Sequence, residues 1–336
     1  MLKLQVSGHS SPEDSEQIQN ELMRRAKRNE RITFLLPFAG VLALIVLFTT
    51  LTGGQFLSVD NLKLLLNQCF SMEIVVIGGA FLYAIGGLDM AIGSVMALSA
   101  MVITLLFNAG LSLALSILAG IAVSVGSMCI TAFVRNYLKV SPFIASMCVM
   151  NICQGLVLTI VAKLGVITFA YSRAAWIDST LTKILTLVIM ALLGYVIFNY
   201  TRFGKSLRAI GGNERAARIS GIKIEKCVFG AYSIMGFALA IASLFSVIRG
   251  GTADTAIGNG MNLNVMTAIV LGGFPLSGGA NAKFHAPMIG ALMVTILTNG
   301  LGLLGYANFM GYAIKGLLFV TVVALTYEKS KGKLIS

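Results

Sequence analysis

Charge is scarce in this chain. Only 11% of its 336 residues are charged, against the roughly 25% typical of soluble domains. Hydrophobic residues make up 57% of the sequence, and the mean hydropathy is +0.88. These values exclude an ordinary soluble domain and indicate a polytopic membrane protein. Because lipid forces backbone groups to bond internally, repeated apolar runs of about 20 residues predict an all-α membrane helix bundle.

Residues that bind metals or nucleotides are also few. The five cysteines lie in or beside apolar runs without CxxC spacing, and no Asp, Glu or Cys accompanies His285 at metal-site spacing. We therefore expect no disulfide, metal or cofactor, and we assign no catalytic residue. The sequence contains no GxxxxGK[ST] segment, so ATP hydrolysis is not expected of this chain.

The apolar runs predict about ten transmembrane segments, and they divide the chain into three parts. Residues 1–32 form a cytoplasmic polar helix, 33–327 a transmembrane domain with a polar loop at 201–226, and 328–336 a cytoplasmic tail. The predicted crossings are at about 33–51, 64–85, 90–107, 111–134, 141–162, 181–200, 227–248, 263–280, 286–304 and 309–327.

The basic residues predict the orientation of these crossings. The net charge is +12, but the Lys and Arg residues cluster in short segments between apolar runs, so they indicate topology and not nucleic-acid binding. With the N-terminus in the cytoplasm, 19 of the 25 basic residues fall on the cytoplasmic side. We therefore expect both termini to be cytoplasmic in a bacterial plasma membrane.

Two glycine clusters interrupt apolar segments: GGLDMAIGS at 86–94 and GGFPLSGG at 272–279. The second makes 263–280 the weakest crossing and predicts a broken or re-entrant segment. Transporters place such breaks where the freed backbone groups line a substrate path. The expected path or helix-break residues are Gly86, Gly87, Asp89, Gly93, Ser94, Asn151, Gln154, Gly272, Gly273 and Asn299.

Asp89 lies far from any basic residue in the sequence, within a long apolar region. An ionised carboxylate in lipid is costly, so we expect Asp89 to face the interior. Two roles remain open for it. It can cap the helix predicted to begin at Met90, or it can take a direct part in the substrate path. For Gln68, Glu73, Asn151, Gln154 and Asn299, interhelical packing is the alternative to lining that path.

The loop TRFGKSLRAIGGNERAARISGIKIEK at 201–226 is the largest polar connection. Asn213 is a good N-cap, Glu214 and Arg218 complement the helix dipole, and Gly221 suits a helix stop. The pattern predicts one short helix at about 214–220. Its small residues Ala216 and Ala217 would offer an apolar face to a partner.

Together with GGLDMAIGSVMAL, this loop resembles the permease subunits of ribose-type carbohydrate ABC importers, a family that includes xylose and autoinducer-2 transporters. The resemblance covers about residues 34–327. It departs from the family pattern after VLGGFPLSGG, where this chain has ANAKFHAP at 280–287. By resemblance, the segment that contacts the ATPase comprises Asn213, Glu214, Ala216, Ala217, Ser220 and Gly221.

The resemblance also implies partners: an ABC ATPase, a second permease subunit that is identical or homologous, an extracytoplasmic solute-binding protein, a sugar-like ligand and membrane lipid. Two other functions remain open. An ion-coupled secondary transporter would use Asp89 or Glu73 as its ion site. An intramembrane hydrolase would use a serine with His285, although no nucleophile motif supports it.

Overall fold

The computed structural model describes residues 37–306, 311, 313–317 and 320, apart from the side chains of residues 173 and 175. The predicted polar helix within 1–32 and the tail at 328–336 lie outside the described residues. Most of the last predicted crossing, 309–327, also lies outside them.

The described part of the chain is mostly helical, with two very short strands. Its helices are α1 (Pro37–Leu51), α2 (Val59–Ala84), α3 (Ile92–Asn108), α4 (Leu113–Tyr137), α5 (Pro142–Leu164), α6 (Thr180–Tyr200), α7 (Arg202–Gly212), α8 (Glu214–Ile219), α9 (Ile224–Gly250), α10 (Met261–Leu271) and α11 (His285–Leu303). The strands are β1 (Ile167–Thr168) and β2 (Thr252–Ala253).

Six of these helices are long and apolar enough to cross a membrane: α2, α4, α5, α6, α9 and α11. Three shorter apolar helices, α1, α3 and α10, coincide with further predicted crossings. The all-α membrane architecture is therefore confirmed. The count of ten crossings stays a prediction.

Helix α10 has only 11 residues and ends at Leu271, where the glycine cluster at 272–279 begins. The backbone at Gly272 packs so closely against the start of α11 that a Cβ there would clash with the carbonyl group of Ala286. The segment from 272 to 284 then runs to α11 without a helix. The apolar run at 263–280 is thus not one continuous helix.

Helices α2 and α9 form the centre of the bundle, and 72% of the most apolar stretch of each is buried within the chain. Helix α6 lies at the perimeter, where the corresponding share is 11%. Since α6 is as hydrophobic as the others, its exposed side chains suit lipid or another subunit. A polar pair ties α2 to α11, because the Asn61 and Asn299 amides each donate to the other at 3.0 Å.

The two strands form an antiparallel ladder in which Ile167 is opposite Ala253 and Thr168 is opposite Thr252. Helix α3 joins this ladder at its last residue, since Asn108 Nδ2 donates to the Thr168 carbonyl at 2.7 Å. The ladder therefore connects the ends of α3, α5 and α9, and it fixes where the segment 251–260 begins.

The loop at 201–226 contains two helices. The predicted short helix is present as α8, but the sequence analysis missed α7. Leu207 and Ile210 of α7 are buried, and Thr201 caps its first turn. Its three glycines lower its intrinsic helix propensity, so packing against α2 and α9 supplies the stability that the local sequence lacks.

Candidate functional site

Two cavities lie side by side within the bundle, and the residues Ile257, Gly258 and Asn259 line both of them. We call the 490 Å³ cavity the uncharged cavity and the 390 Å³ one the charged cavity. Both sizes fall within the roughly 300–1,000 Å³ range of small-molecule sites. The segment 251–260 thus forms a wall between two spaces that are each large enough for a small solute.

The uncharged cavity brings together four residues that the sequence analysis expected on a substrate path. Gly93 and Ser94 come from α3, and Asn151 and Gln154 come from α5. The rest of its polar lining comes from the end of α9 to the start of α10. None of its described lining residues is charged, and those with polar side chains are Ser94, Asn151, Gln154, Thr255, Asn259 and Asn262.

The charged cavity has a different character. Arg249 and Asp254 line it, together with Gln68 of α2 and with hydroxyl and amide groups from α9, α10 and α11. The Asp254 carboxylate also shapes the wall, because its Oδ1 accepts from the Ala256 amide at 2.8 Å and its Oδ2 from the Thr252 hydroxyl at 3.4 Å. These bonds hold the turn that leads from β2 into the wall.

The wall is fixed against α3 by two glycines. A Cβ at Gly93 would clash with the Gly258 carbonyl group, and one at Gly258 would clash with that of Gly93. Gly258 also has a φ of +75°, which favours glycine. Strand β2 pairs with β1, which Asn108 holds at the far end of α3. The segment 251–260 therefore runs along most of α3. The sequence did not predict this non-helical course through the bundle, although the polar, glycine-rich sequence GGTADTAIGNG was the signal.

Several expected path residues line neither cavity. Gly86, Gly87 and Asp89 lie in the turn between α2 and α3, and Gly272 and Gly273 lie at the end of α10. Asn299 is paired with Asn61, which is the packing alternative. The glycines and Asp89 thus lie at helix breaks, and a role for any of these residues in the path stays a prediction.

Asp89 is fully buried in the turn at 85–91. Its Oδ1 accepts from the Ala91 amide at 2.7 Å, while its Oδ2 has no hydrogen-bond partner among the described residues. Helix α3 begins at Ile92, two residues later than expected, and Ser146 of α5 accepts from the Met90 amide at 3.0 Å. The geometry is that of a carboxylate holding the turn that enters α3, which is the capping alternative.

A second buried acid, Glu73, lies within α2. Only 4% of the residue is exposed, and neither carboxyl oxygen has a hydrogen-bond partner among the described residues. It is not among the residues that line the two cavities. An acid in such a place is costly, so it is a candidate for a functional role.

Helix α8 has the expected cap. Asn213 Oδ1 accepts from the Ala216 amide at 3.0 Å, and Gly221 follows the helix with a φ of +80°. The two alanines differ in position, however. Ala216 is exposed, whereas Ala217 is 4% exposed and packs inside the chain. Beside Ala216, the exposed apolar side chain of α8 is Ile219, at 83% exposure, and the contact with a partner stays a prediction.

The ends of α8 are held by charged and polar groups. Arg218 lies 3.0 Å from Glu225 at the start of α9 and 3.8 Å from Glu214. The Ser220 hydroxyl donates to the Ala216 carbonyl at 3.0 Å. A surface helix of six residues is thereby fixed to the long helix α9. Among the described residues, no group of three or more His, Cys, Asp or Glu is placed to hold a metal ion.

Comparison with known proteins assigns this arrangement to a family. Residues 61–323 match the model of the branched-chain amino acid transport system / permease component family. The chain belongs to this permease family. The permease is thus a multi-pass protein of the bacterial inner membrane and a transport component, not an enzyme. No solved structure matches it.

Curated relatives of the permease are named for sugars. A ribose import permease of Bacillus subtilis is 30% identical over 94% of this chain and 99% of its own. A D-allose transport permease of Escherichia coli is 27% identical over 87% and 91% of the two chains. An L-arabinose transport permease of E. coli is 28% identical over 86% and 91%. The permease is therefore a component of the sugar ABC importer type.

Proposed function

We propose that the permease forms the path for a neutral sugar or sugar-like solute and that a separate ABC ATPase drives it. The uncharged cavity carries this proposal. Its amides and hydroxyls offer both donors and acceptors, which suit the hydroxyl groups of a sugar. A charged solute would lose its hydration there without gaining a counter-charge. The names of the relatives support the same class of solute.

The proposal includes three partners. An extracytoplasmic solute-binding protein delivers the ligand, a second permease subunit completes the path, and the ATPase binds the cytoplasmic side at α8. Asn213, Glu214, Ala216, Ser220 and Gly221 shape that contact, while Ala217 anchors α8 from inside. Both termini are cytoplasmic, and the chain makes ten crossings, one of which is interrupted by the non-helical backbone at 251–260.

The test is reconstitution of the permease in proteoliposomes with a candidate ATPase and binding protein. ATP hydrolysis is then measured across a panel of neutral sugars. We expect a neutral sugar to stimulate hydrolysis and to accumulate inside the vesicles. Solute uptake without bound ATPase would contradict the proposal.

A matched pair of variants tests the uncharged cavity itself. The side-chain amides of Asn151 and Asn199 both donate to the carbonyl four residues earlier, at 3.0 and 3.1 Å. Only Asn151 lines the cavity. We expect Asn151→Leu to lower sugar uptake several-fold, since a hydrogen bond is worth about 1 kcal/mol. Asn199→Leu on the perimeter helix α6 should transport normally.

One observation favours a second function. The carboxyl of Glu73 has no hydrogen-bond partner among the described residues, and such a group would suit proton coupling in a secondary transporter. In that case a proton gradient would drive uptake without ATP, and Glu73→Gln would abolish it. The ABC proposal instead expects Glu73→Gln to transport, because a neutral amide is easier to bury than a carboxylate.

A further inference from the structure

Three glycine-containing segments meet at the carbonyl oxygen of Ala84, the last residue of α2. The Gly279 amide donates to this oxygen at 3.1 Å. A Cβ at Gly211, near the end of α7, would clash with the oxygen and would lie 2.6 Å from the Gly279 nitrogen. A Cβ at Gly278 would clash with it as well. We call Ala84, Gly86, Gly211, Gly278 and Gly279 the glycine junction.

Contacts across the glycine junction run from main chain to main chain. A Cβ at Gly86 would lie 3.0 Å from the Ser277 carbonyl oxygen, and one at Gly279 would lie 3.3 Å from the Gly212 Cα. Among the described residues, the atoms nearest to these glycines are main-chain atoms, which cannot absorb a displacement by changing a rotamer. Small residues permit this approach between helices in membranes. A shift of α7 is therefore expected to move the other two segments with it.

The glycine junction lies between the cytoplasmic helices and the cavities. On one side, α7 leads directly through Asn213 into α8. On the other side, Ala84 leads into the turn at 85–91, which Asp89 holds against the start of α3. Helix α3 then carries Gly93, which packs against Gly258 in the wall between the two cavities. The chain of contacts is continuous from α8 to that wall.

We propose that the glycine junction transmits movement of α7 and α8 to α3 and so to the wall between the cavities. Gly211 is thereby a positioning residue for transport, although it touches no solute. The inference rests on the proposed function, since it needs an ATPase that moves α8. It adds a physical route by which that movement reaches the solute.

The first test is Gly211→Ala, with Gly212→Ala as its control. The two glycines are neighbours at the end of α7, but a Cβ at Gly212 would meet no atom of the described residues within 4 Å. The complex is purified with ATPase and binding protein, and hydrolysis is measured with and without sugar. We expect Gly211→Ala to assemble and keep basal hydrolysis but to lose roughly tenfold in sugar stimulation, the scale of substitutions along a coupling route.

The second test reaches the junction from another segment. Gly278→Ala adds both the clash with Ala84 and the strain of a φ of +71°. Gly53→Ala is its control, because Gly53 has a φ of +59° and, in the part of the chain that the structure describes, no atom within 4 Å of its Cβ position. We expect Gly278→Ala to lose sugar stimulation as Gly211→Ala does, while Gly53→Ala behaves as wild type.

Two results would overturn the inference. Normal sugar stimulation in both junction variants would show that the contact transmits nothing. Loss of membrane abundance in both, with normal controls, would show that it is a packing contact only. Failure of the wild-type chain to bind an ATPase would instead refute the proposed function.

Discussion

At the scale of single residues, a few polar groups and glycines hold the parts of the site in place. The residues expected on a path separate into two sets once their contacts are known. Gly93, Ser94, Asn151 and Gln154 meet at the uncharged cavity. Asn299 does not, because its amide is paired with Asn61. The sequence alone cannot distinguish these sets, since an amide within an apolar run suits a solute and another helix equally well.

At Asp89, we expect loss of the negative charge to be tolerated, but not loss of the oxygen that accepts a hydrogen bond. In Asp89→Asn the amide oxygen can still accept from the Ala91 nitrogen, whereas Asp89→Leu leaves this donor unpaired at a cost of about 1–3 kcal/mol. We therefore expect the Asn variant to keep most of its uptake and the Leu variant to lose uptake and thermal stability. Equal loss in both variants would instead point to a role for the carboxylate proton.

Gly93 should not tolerate a larger side chain. In Gly93→Ala the added methyl group clashes with the Gly258 carbonyl, and overpacking of this kind costs about 1–3 kcal/mol. We expect uptake to fall at matched membrane abundance because the wall is displaced. Gly126→Ala in α4 is the control, since its Cβ would meet nothing within 4 Å. Normal uptake by Gly93→Ala would show that the wall takes no part in transport.

At the scale of elements, the long apolar helices were predictable and the interruptions between them were not. Lipid requires long apolar runs, so α2, α4 and α9 follow directly from hydropathy. Helix α7 and the non-helical segment 251–260 are rich in glycine and polar residues, so in sequence they resemble surface loops. Helix α7 packs against α2 and α9, and the segment 251–260 packs against α3. Only this packing shows that both belong to the interior.

Helix α8 allows a comparison between its buried and exposed sides. Ala217 is buried, so Ala217→Glu places a charge inside the chain and should lower membrane abundance itself. Ile219→Glu changes only an exposed side chain. We expect this variant to reach normal abundance but to lose ATPase in co-purification. Retention of the ATPase by Ile219→Glu would exclude this face of α8 from the contact.

At the scale of the whole molecule, the loops fall into two groups at opposite ends of the bundle. The turn at 85–91, the glycine cluster at 272–279 and α7 meet at one end. The strands β1 and β2 and the end of α3 meet at the other. The distribution of basic residues predicts that the first group is cytoplasmic.

The orientation can be measured by cysteine labelling in intact cells. In a background without the five native cysteines, Glu214→Cys should resist a membrane-impermeant reagent and Trp176→Cys should react. Both side chains are exposed, Trp176 at 70%, so burial does not explain a difference. Glu214→Cys should react once the membrane is permeabilised. The reverse pattern in intact cells would invert the topology.

The glycine junction and the uncharged cavity are built from different kinds of atoms, and this has an evolutionary consequence. The junction consists of main-chain contacts, whereas the cavity presents side chains from α3, α5 and residues 255–262. Substitutions in the cavity leave the junction unchanged. Solute preference can thus diversify among descendants of one ancestor while the moving parts are inherited intact. Exchanging cavity side chains between two such permeases should therefore transfer solute selectivity, while ATP hydrolysis still drives transport.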